Sequence, residues 1–312
     1  MRKIFLLLVI AIGSLVSFTR KAEEPISIES LGEKLFFDPI LSSDYTVSCA
    51  SCHKPGIAFA DTSVVSTGVH GRTGLRNTPS VMNLRFSKTF FWDGRAGSLE
   101  EQVLGPIANP KEMNLPPDRA VARLKSNNKY RELFKTVFRE GPNKINLAQA
   151  IAAFERTLET SDSPFDDWKV TENEQAISEE AKTGYAIFNS KGNCSQCHFG
   201  ADFTNSDFRN IGLFNGRNLN DSGRIVITGE KETLGKFKIP GLRNIALTAP
   251  YMHNGMFQTL SEVIEYYNDP DKIVPDSKNR DSLLSKPLGL NAEEKKDLEI
   301  FLLSLTDKKF NK

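Results

Sequence analysis

Cys49-Ala50-Ser51-Cys52-His53 and Cys194-Ser195-Gln196-Cys197-His198 hold all 4 cysteines of the 312-residue chain. Two thiols three positions apart on one turn of helix can each add to a vinyl group of haem. The adjacent histidine then lies beneath the iron as its proximal ligand. A four-cysteine zinc site needs no histidine after each pair, and a disulfide across two residues is of the redox type. The motifs therefore read as two covalently attached haem c groups. Cys49, Cys52 and His53 hold one, and Cys194, Cys197 and His198 hold the other.

The surroundings of the motifs are alike. Gly32-Glu33-Lys34-Leu35-Phe36 precedes the first and Gly184-Tyr185-Ala186-Ile187-Phe188 the second. Each places a glycine and an aromatic four apart on one helical face, on a helix expected to pack beside haem, with glycine permitting the close approach. The fold expected is all-α: two tandem cytochrome c-like haem domains with long loops. Their boundary is expected in the polar stretch Asp162–Glu174, giving an N-terminal haem domain over 23–165 and a C-terminal one over 166–312.

A second repeat follows the first. Leu75-Arg76-Asn77, Phe91-Trp92-Asp93-Gly94 and Ser98-Leu99-Glu100-Glu101 occur in one half; Leu242-Arg243-Asn244, His253-Asn254-Gly255 and Thr259-Leu260-Ser261-Glu262 occur in the other. Aligning Gly94 with Gly255 aligns Leu99 with Leu260 and Glu101 with Glu262 without gaps, which argues for tandem units. Thr259 and Glu262 form a capping box. Leu260, Val263, Ile264 and Tyr267 then share one helical face, from which Tyr266 is absent. Tyr267 reads either as a phenolate ligand to the second haem iron or as a core tyrosine with a hydrogen-bonded hydroxyl. Its counterpart is Pro106, which cannot ligate iron. This predicts a six-coordinate second haem and a first haem with an open position.

At the N-terminus, Arg2 and Lys3 precede an apolar run from Ile4 to about Phe18, closed by Thr19-Arg20-Lys21. Residues 1–22 are expected to be a secretory signal peptide or an uncleaved N-terminal anchor, and the folded part to be exported to the periplasm. The chain is 39% hydrophobic and 25% charged with net charge +1. That is ordinary globular composition, and nothing in it points to nucleic acid.

Phe91-Trp92-Asp93-Gly94-Arg95, Gln102…Gly105-Pro106, Glu112-Met113 and Leu242-Arg243-Asn244…Pro250-Tyr251-Met252-His253 together carry a family resemblance. The chain resembles the bacterial di-haem cytochrome c peroxidases, a group that includes the MauG-type enzymes. The resemblance implies a peroxidatic haem in the first half. It places Glu112 as distal acid–base residue, Gln102 as distal-pocket amide and Trp92 between the haems. Asn77, Thr248 and Pro250 match the ligands of an interfacial calcium ion, the last two through backbone carbonyls. A carboxylate over an open haem can take a proton from peroxide and deliver it to the departing oxygen. An indole can relay electrons, or simply pack in a core.

Two positions depart from the family's reductively activated members. Tyr267 stands where those carry a distal methionine, as in MauG-type proteins; Met252 and Met256 are the only methionines of the second half. His70, the nearest candidate for a removable distal ligand of the first haem, falls one residue late, with Val69 at the expected place. It reads as a solvated loop residue.

The function expected is reduction of hydrogen peroxide to water with electrons from a small cytochrome or similar donor. The alternative is a MauG-type oxidase that uses a high-valent iron state to modify a partner protein or oxidise a small molecule. The sequence names neither donor nor partner, and it leaves the oligomeric state open, a homodimer included.

Overall fold

The computed structural model describes residues 26–310, so the export segment expected at 1–22 lies outside the described residues. Ser27 starts the first helix, Ile28–Phe37, through a reciprocal cap with Ser30. Leu31, Leu35 and Phe36 share its buried face, which packs on the helix Lys144–Glu155. A Cβ on Gly32 would stand 1.8 Å from Ala150 O. The second half repeats the device. Glu179–Asn189 packs on Ala292–Leu303, and a Cβ on Gly184 would stand 2.0 Å from Asp297 O. The expectation for these glycines is corrected here: the atoms closest to them are a neighbouring helix's backbone, and what they admit is that helix.

The described chain is helix-rich. One two-stranded antiparallel ribbon departs from the all-α expectation, with Phe208 opposite Lys238 and Arg209 opposite Phe237. One apolar core runs from Leu31 to Leu158 and a second from Phe165 to Leu305. The stretch between them is helical over Pro164–Val170, capped by Ser163, and Phe165 belongs to the second core. Arg76 ties the two halves: it forks onto Asp221 at 2.6 and 2.9 Å while holding Asp93 at 2.6 Å. Among the described residues no helix is long and apolar enough to cross a membrane.

The offset that carries Gly94 onto Gly255 holds in the backbone. The bridge Phe90–Ala96 recurs as Tyr251–Phe257. Gly94 and Gly255 have φ of +71° and +63°, the left-handed region that glycine enters freely. Ser98 and Thr259 each cap the helix that follows, Leu99–Ala108 and Leu260–Asn268. One element of the sequence alignment moves. Asn244 is matched by Asn83 rather than Asn77: both are left-handed, at φ +61° and +56°. Asn244 N donates to Leu305 O at 3.0 Å, and Asn83 N to Leu158 O at 2.8 Å. The repeated Leu-Arg-Asn triplet misled because it matches letters; the fold repeats hydrogen bonds.

Candidate active site and haem attachment

Each Cys-x-x-Cys segment winds into a single helical turn, Cys49–Cys52 in one half and Cys194–Gln196 in the other. No disulfide joins the four cysteines. His53 Nδ1 donates to Phe59 O at 3.1 Å and His198 Nδ1 to Phe203 O at 2.9 Å. These bonds fix each ring's orientation with the proton on Nδ1, the arrangement of an imidazole that ligates a metal through Nε2. Burial pulls both histidines below their usual range, toward the neutral form a ligand requires. Burial pushes the Cys194 thiol up to about 12 and Cys49 further still. The donor set and its surroundings fit covalent haem.

A cavity of about 890 Å³ is lined by Cys49, Cys52, His53, Gln102, Pro106 and Glu112. Gln102 and Pro106 project from the helix Leu99–Ala108. Glu112 Oε1 accepts from Asn109 Nδ2 at 2.6 Å. Burial raises the Glu112 carboxyl, against the Asn109 hydrogen bond and the Arg95 charge, which lower it. Trp92 lines the same cavity; its Nε1 donates to Asn77 O at 2.8 Å, and its ring lies edge-on to His253 at 6.5 Å.

Asn77, Thr248 and Pro250 also line this cavity. Asn77 Nδ2 donates to Ser63 O and Val64 O at 3.2 and 3.3 Å, which leaves its Oδ1 uncommitted. Among the described residues no hydrogen bond ends on Asn77 Oδ1, Thr248 O or Pro250 O. Three oxygens of this kind fit a hard cation such as calcium.

His70 is turned away from the cavity. It is half exposed, at φ +57°, with Nδ1 3.5 Å from Asp44 Oδ2. Its neighbour Val69 is buried and donates to Glu112 O at 2.8 Å.

In the second half the two tyrosines divide the readings between them. Tyr266 is fully buried, and its hydroxyl donates to Ile211 O at 2.5 Å. This corrects the one-faced reading of the helix Leu260–Asn268: Tyr266 packs against a loop on a second side. Tyr267 is half-buried beside the second core, and among the described residues its hydroxyl makes no hydrogen bond. Burial raises its phenol, and nearby Tyr266, Cys194 and Cys197 add to the shift. Tyr267 and Cys194 pack against the same core. Met256 Sδ receives Asn254 Nδ2 at 3.7 Å, and Met252 lines the first cavity.

Sequence reasoning missed Glu155. It lines the first cavity near Cys49, is 4% exposed, and its Oε2 has no hydrogen-bond partner among the described residues. Its signal was available, because Glu155 lies four residues after Ile151 on an apolar helix face. The matched helix crossings pair Phe154 with Phe301, so Glu155 stands where the second half buries Leu302. Burial, opposed by the Arg156 charge, raises the carboxyl from 4.5 to about 8. The folded chain keeps this proton between those values and the unfolded chain loses it, so stability falls as pH rises through that window. Glu155→Leu is expected to flatten the decline and stabilise the haem-loaded protein near pH 8, by a few kcal/mol at most at about 1.4 kcal/mol per pH unit. Denaturant unfolding at acid and alkaline ends of the window measures this. An equal pH dependence in both proteins would mean that Glu155 is ionised when folded.

The description "Di-haem cytochrome c peroxidase" belongs to the family model that matches residues 27–175. The methylamine utilization protein MauG of Methylorubrum extorquens is 38% identical over 282 residues, 88% of this chain and 77% of its own. The cytochrome c551 peroxidase of Nitrosomonas europaea is 39% identical over 245 residues, 78% of this chain and 73% of its own. Among solved structures, a MauG-like protein associated with microbial copper homeostasis matches with TM-score 0.80 and 33% identity, covering 91% of this chain and 90% of that one. The diheme peroxidase BthA from Burkholderia thailandensis matches with TM-score 0.81 and 25% identity, covering 91% and 86%. The chain belongs to the di-haem cytochrome c peroxidase family, which includes MauG, and membership implies two haem c groups.

Proposed function

We propose that this protein reduces hydrogen peroxide to water at the first haem with electrons from a small cytochrome or similar donor. The observation that carries the reading is the cavity in which Glu112, Gln102 and Pro106 share walls with Cys49, Cys52 and His53. When bound, haem supplies the iron that engages peroxide and passes electrons. Glu112, raised by burial yet hydrogen-bonded by Asn109, accepts a proton from peroxide and returns it to the oxygen that leaves as water. Gln102 orients peroxide through its amide. Pro106, which lines the same cavity, offers no side chain that could ligate the iron. Trp92, edge-on to His253 at the junction of the halves, lies between the two cores and relays electrons.

The reading includes two tandem haem domains, 23–165 and 166–312, and export to the periplasm with residues 1–22 as signal or anchor. The two cores and the repeated backbone hydrogen bonds support two units, with Phe165 on the second core's side of the boundary. The MauG-type alternative, acting on a partner protein or small molecule, draws support from Tyr267, whose hydroxyl makes no hydrogen bond among the described residues. Steady-state peroxide consumption with reduced cytochrome c, with and without prior reduction of the enzyme, tests the two. Turnover in both preparations is expected. No consumption in either would sink the peroxidase reading and leave the oxidase.

Calcium bound by Asn77, Thr248 and Pro250 belongs to the same proposal. Prolonged chelation is expected to lower activity reversibly and alter the haem spectra, with recovery on adding calcium. Spectra and activity that ignore chelation at low calcium would remove the ion.

A further inference from the structure

The offset that carries Gly94 onto Gly255 also carries Asn77 onto Lys238, Ser87 onto Thr248 and Thr89 onto Pro250. Hydrogen bonds repeat with it. Asn77 N donates to His253 O and Lys238 N donates to Trp92 O, both at 2.7 Å, and Trp92 and His253 are themselves a pair under the same offset. Ser87 N reaches Leu84 O at 3.0 Å as Thr248 N reaches Ile245 O at 3.3 Å. Each half thus gives the other the bond it receives. That reciprocity is the mark of an approximate twofold, with Trp92 and His253 facing each other near its axis.

The calcium position proposed above consists of Asn77, Thr248 O and Pro250 O. Its twofold mate consists of Lys238, Ser87 O and Thr89 O. There, Lys238 Nζ donates to Thr89 O at 3.1 Å. The lysine lines the cavity, and burial alone pulls its ammonium down to about 8. The arginines that line the same cavity all hold carboxylates: Arg76 holds Asp93 and Asp221, Arg95 holds Asp93, and Arg243 holds Asp166. Among the described residues no carboxylate pairs with Lys238. The ammonium thus stands on the carbonyl that answers Pro250 O.

We propose that Lys238 is a tethered cation: its ammonium occupies the twofold mate of the calcium position and holds the Thr89–Trp92 segment as the ion holds Pro250–His253. The analogy rests on the calcium reading; the Lys238–Thr89 bond stands without it. Lys238 is in this sense a positioning residue for Trp92. The two sides differ by one exchange, an amide oxygen that needs a metal for an ammonium that replaces one. Lys238→Asn therefore rebuilds on the first-half segment the oxygen set of Asn77, Thr248 and Pro250.

The test uses the protein with both haems attached. Calcium content is measured at fixed free calcium, and hydrogen exchange is followed at the amides of residues 89–92, including Phe90, which is bonded to Ala96 O. Lys238→Asn is expected to bind one more calcium per chain than wild type, and added calcium should slow exchange at those amides. Lys238→Met should speed their exchange without rescue by calcium, and Lys238→Arg should keep them near wild type. Exchange in Lys238→Met equal to wild type, or equal calcium content in Lys238→Asn and wild type, overturns the proposal. Wild-type protein that binds no calcium would sink the calcium reading alone; the gain in Lys238→Asn and the exchange in Lys238→Met still decide Lys238. Should Lys238→Asn fail to take up haem, the Met and Arg comparison decides it.

Discussion

Glu112→Gln is expected to keep both haems and lose about 10²–10⁴-fold of peroxide turnover, the usual worth of a positioned general acid–base group. In barrier terms that is about 3–5 kcal/mol. The amide preserves shape and the contact with Asn109, so a loss reports the missing proton transfer rather than a collapsed wall. The environment suits the role. Burial raises the carboxyl, while the Asn109 hydrogen bond and Arg95 restrain it. Peroxide turnover per haem, with haem spectra as the control for integrity, is the measurement. Unchanged turnover would take Glu112 out of the mechanism and leave the cavity without an assigned proton carrier.

Tyr267→Phe is expected to alter the second haem alone. Phenolate is a hard, anionic ligand that stabilises the oxidised iron. Its loss should raise the second haem's midpoint and change the low-spin signal in electron paramagnetic resonance, with the high-spin signal of the first haem intact. The motive is the division between the two tyrosines. Tyr266 spends its hydroxyl on Ile211 O, whereas the Tyr267 hydroxyl has no protein partner among the described residues and lies near Cys194 and Cys197. A low-spin signal identical in the variant would defeat the assignment. Met252 and Met256 are then the remaining methionines of that half, although Met256 Sδ is turned to Asn254 and Met252 to the other cavity.

Much of the site was legible because it depends on near neighbours in the chain. Thiols three positions apart share a helical turn wherever the turn sits, and the histidine after them is placed by the same turn. The cap at Thr259 and Glu262 needs only four residues. Pro106 and Tyr267 fall in register because Gly94 and Gly255 begin identical turns. The glycines of the two crossing helices were recognised as close-approach positions, but their partner was not. Periodicity says that a face is buried and is silent on what covers it.

The sequence by itself determined the two attachment turns, the repeat and the residues gathered on Leu99–Ala108 and Leu260–Asn268. Only the tertiary structure decided that Asn244 answers Asn83, that Lys238 answers Asn77, that Glu155 is buried without a partner, and that Tyr266 rather than Tyr267 is the hydrogen-bonded core tyrosine. The physical reason is common to all four. Each outcome turns on which carbonyl or charge from a distant part of the chain arrives beside the side chain. Backbone groups carry no letter of their own, so a sequence cannot spell out where an Ile211 or Thr89 oxygen will stand.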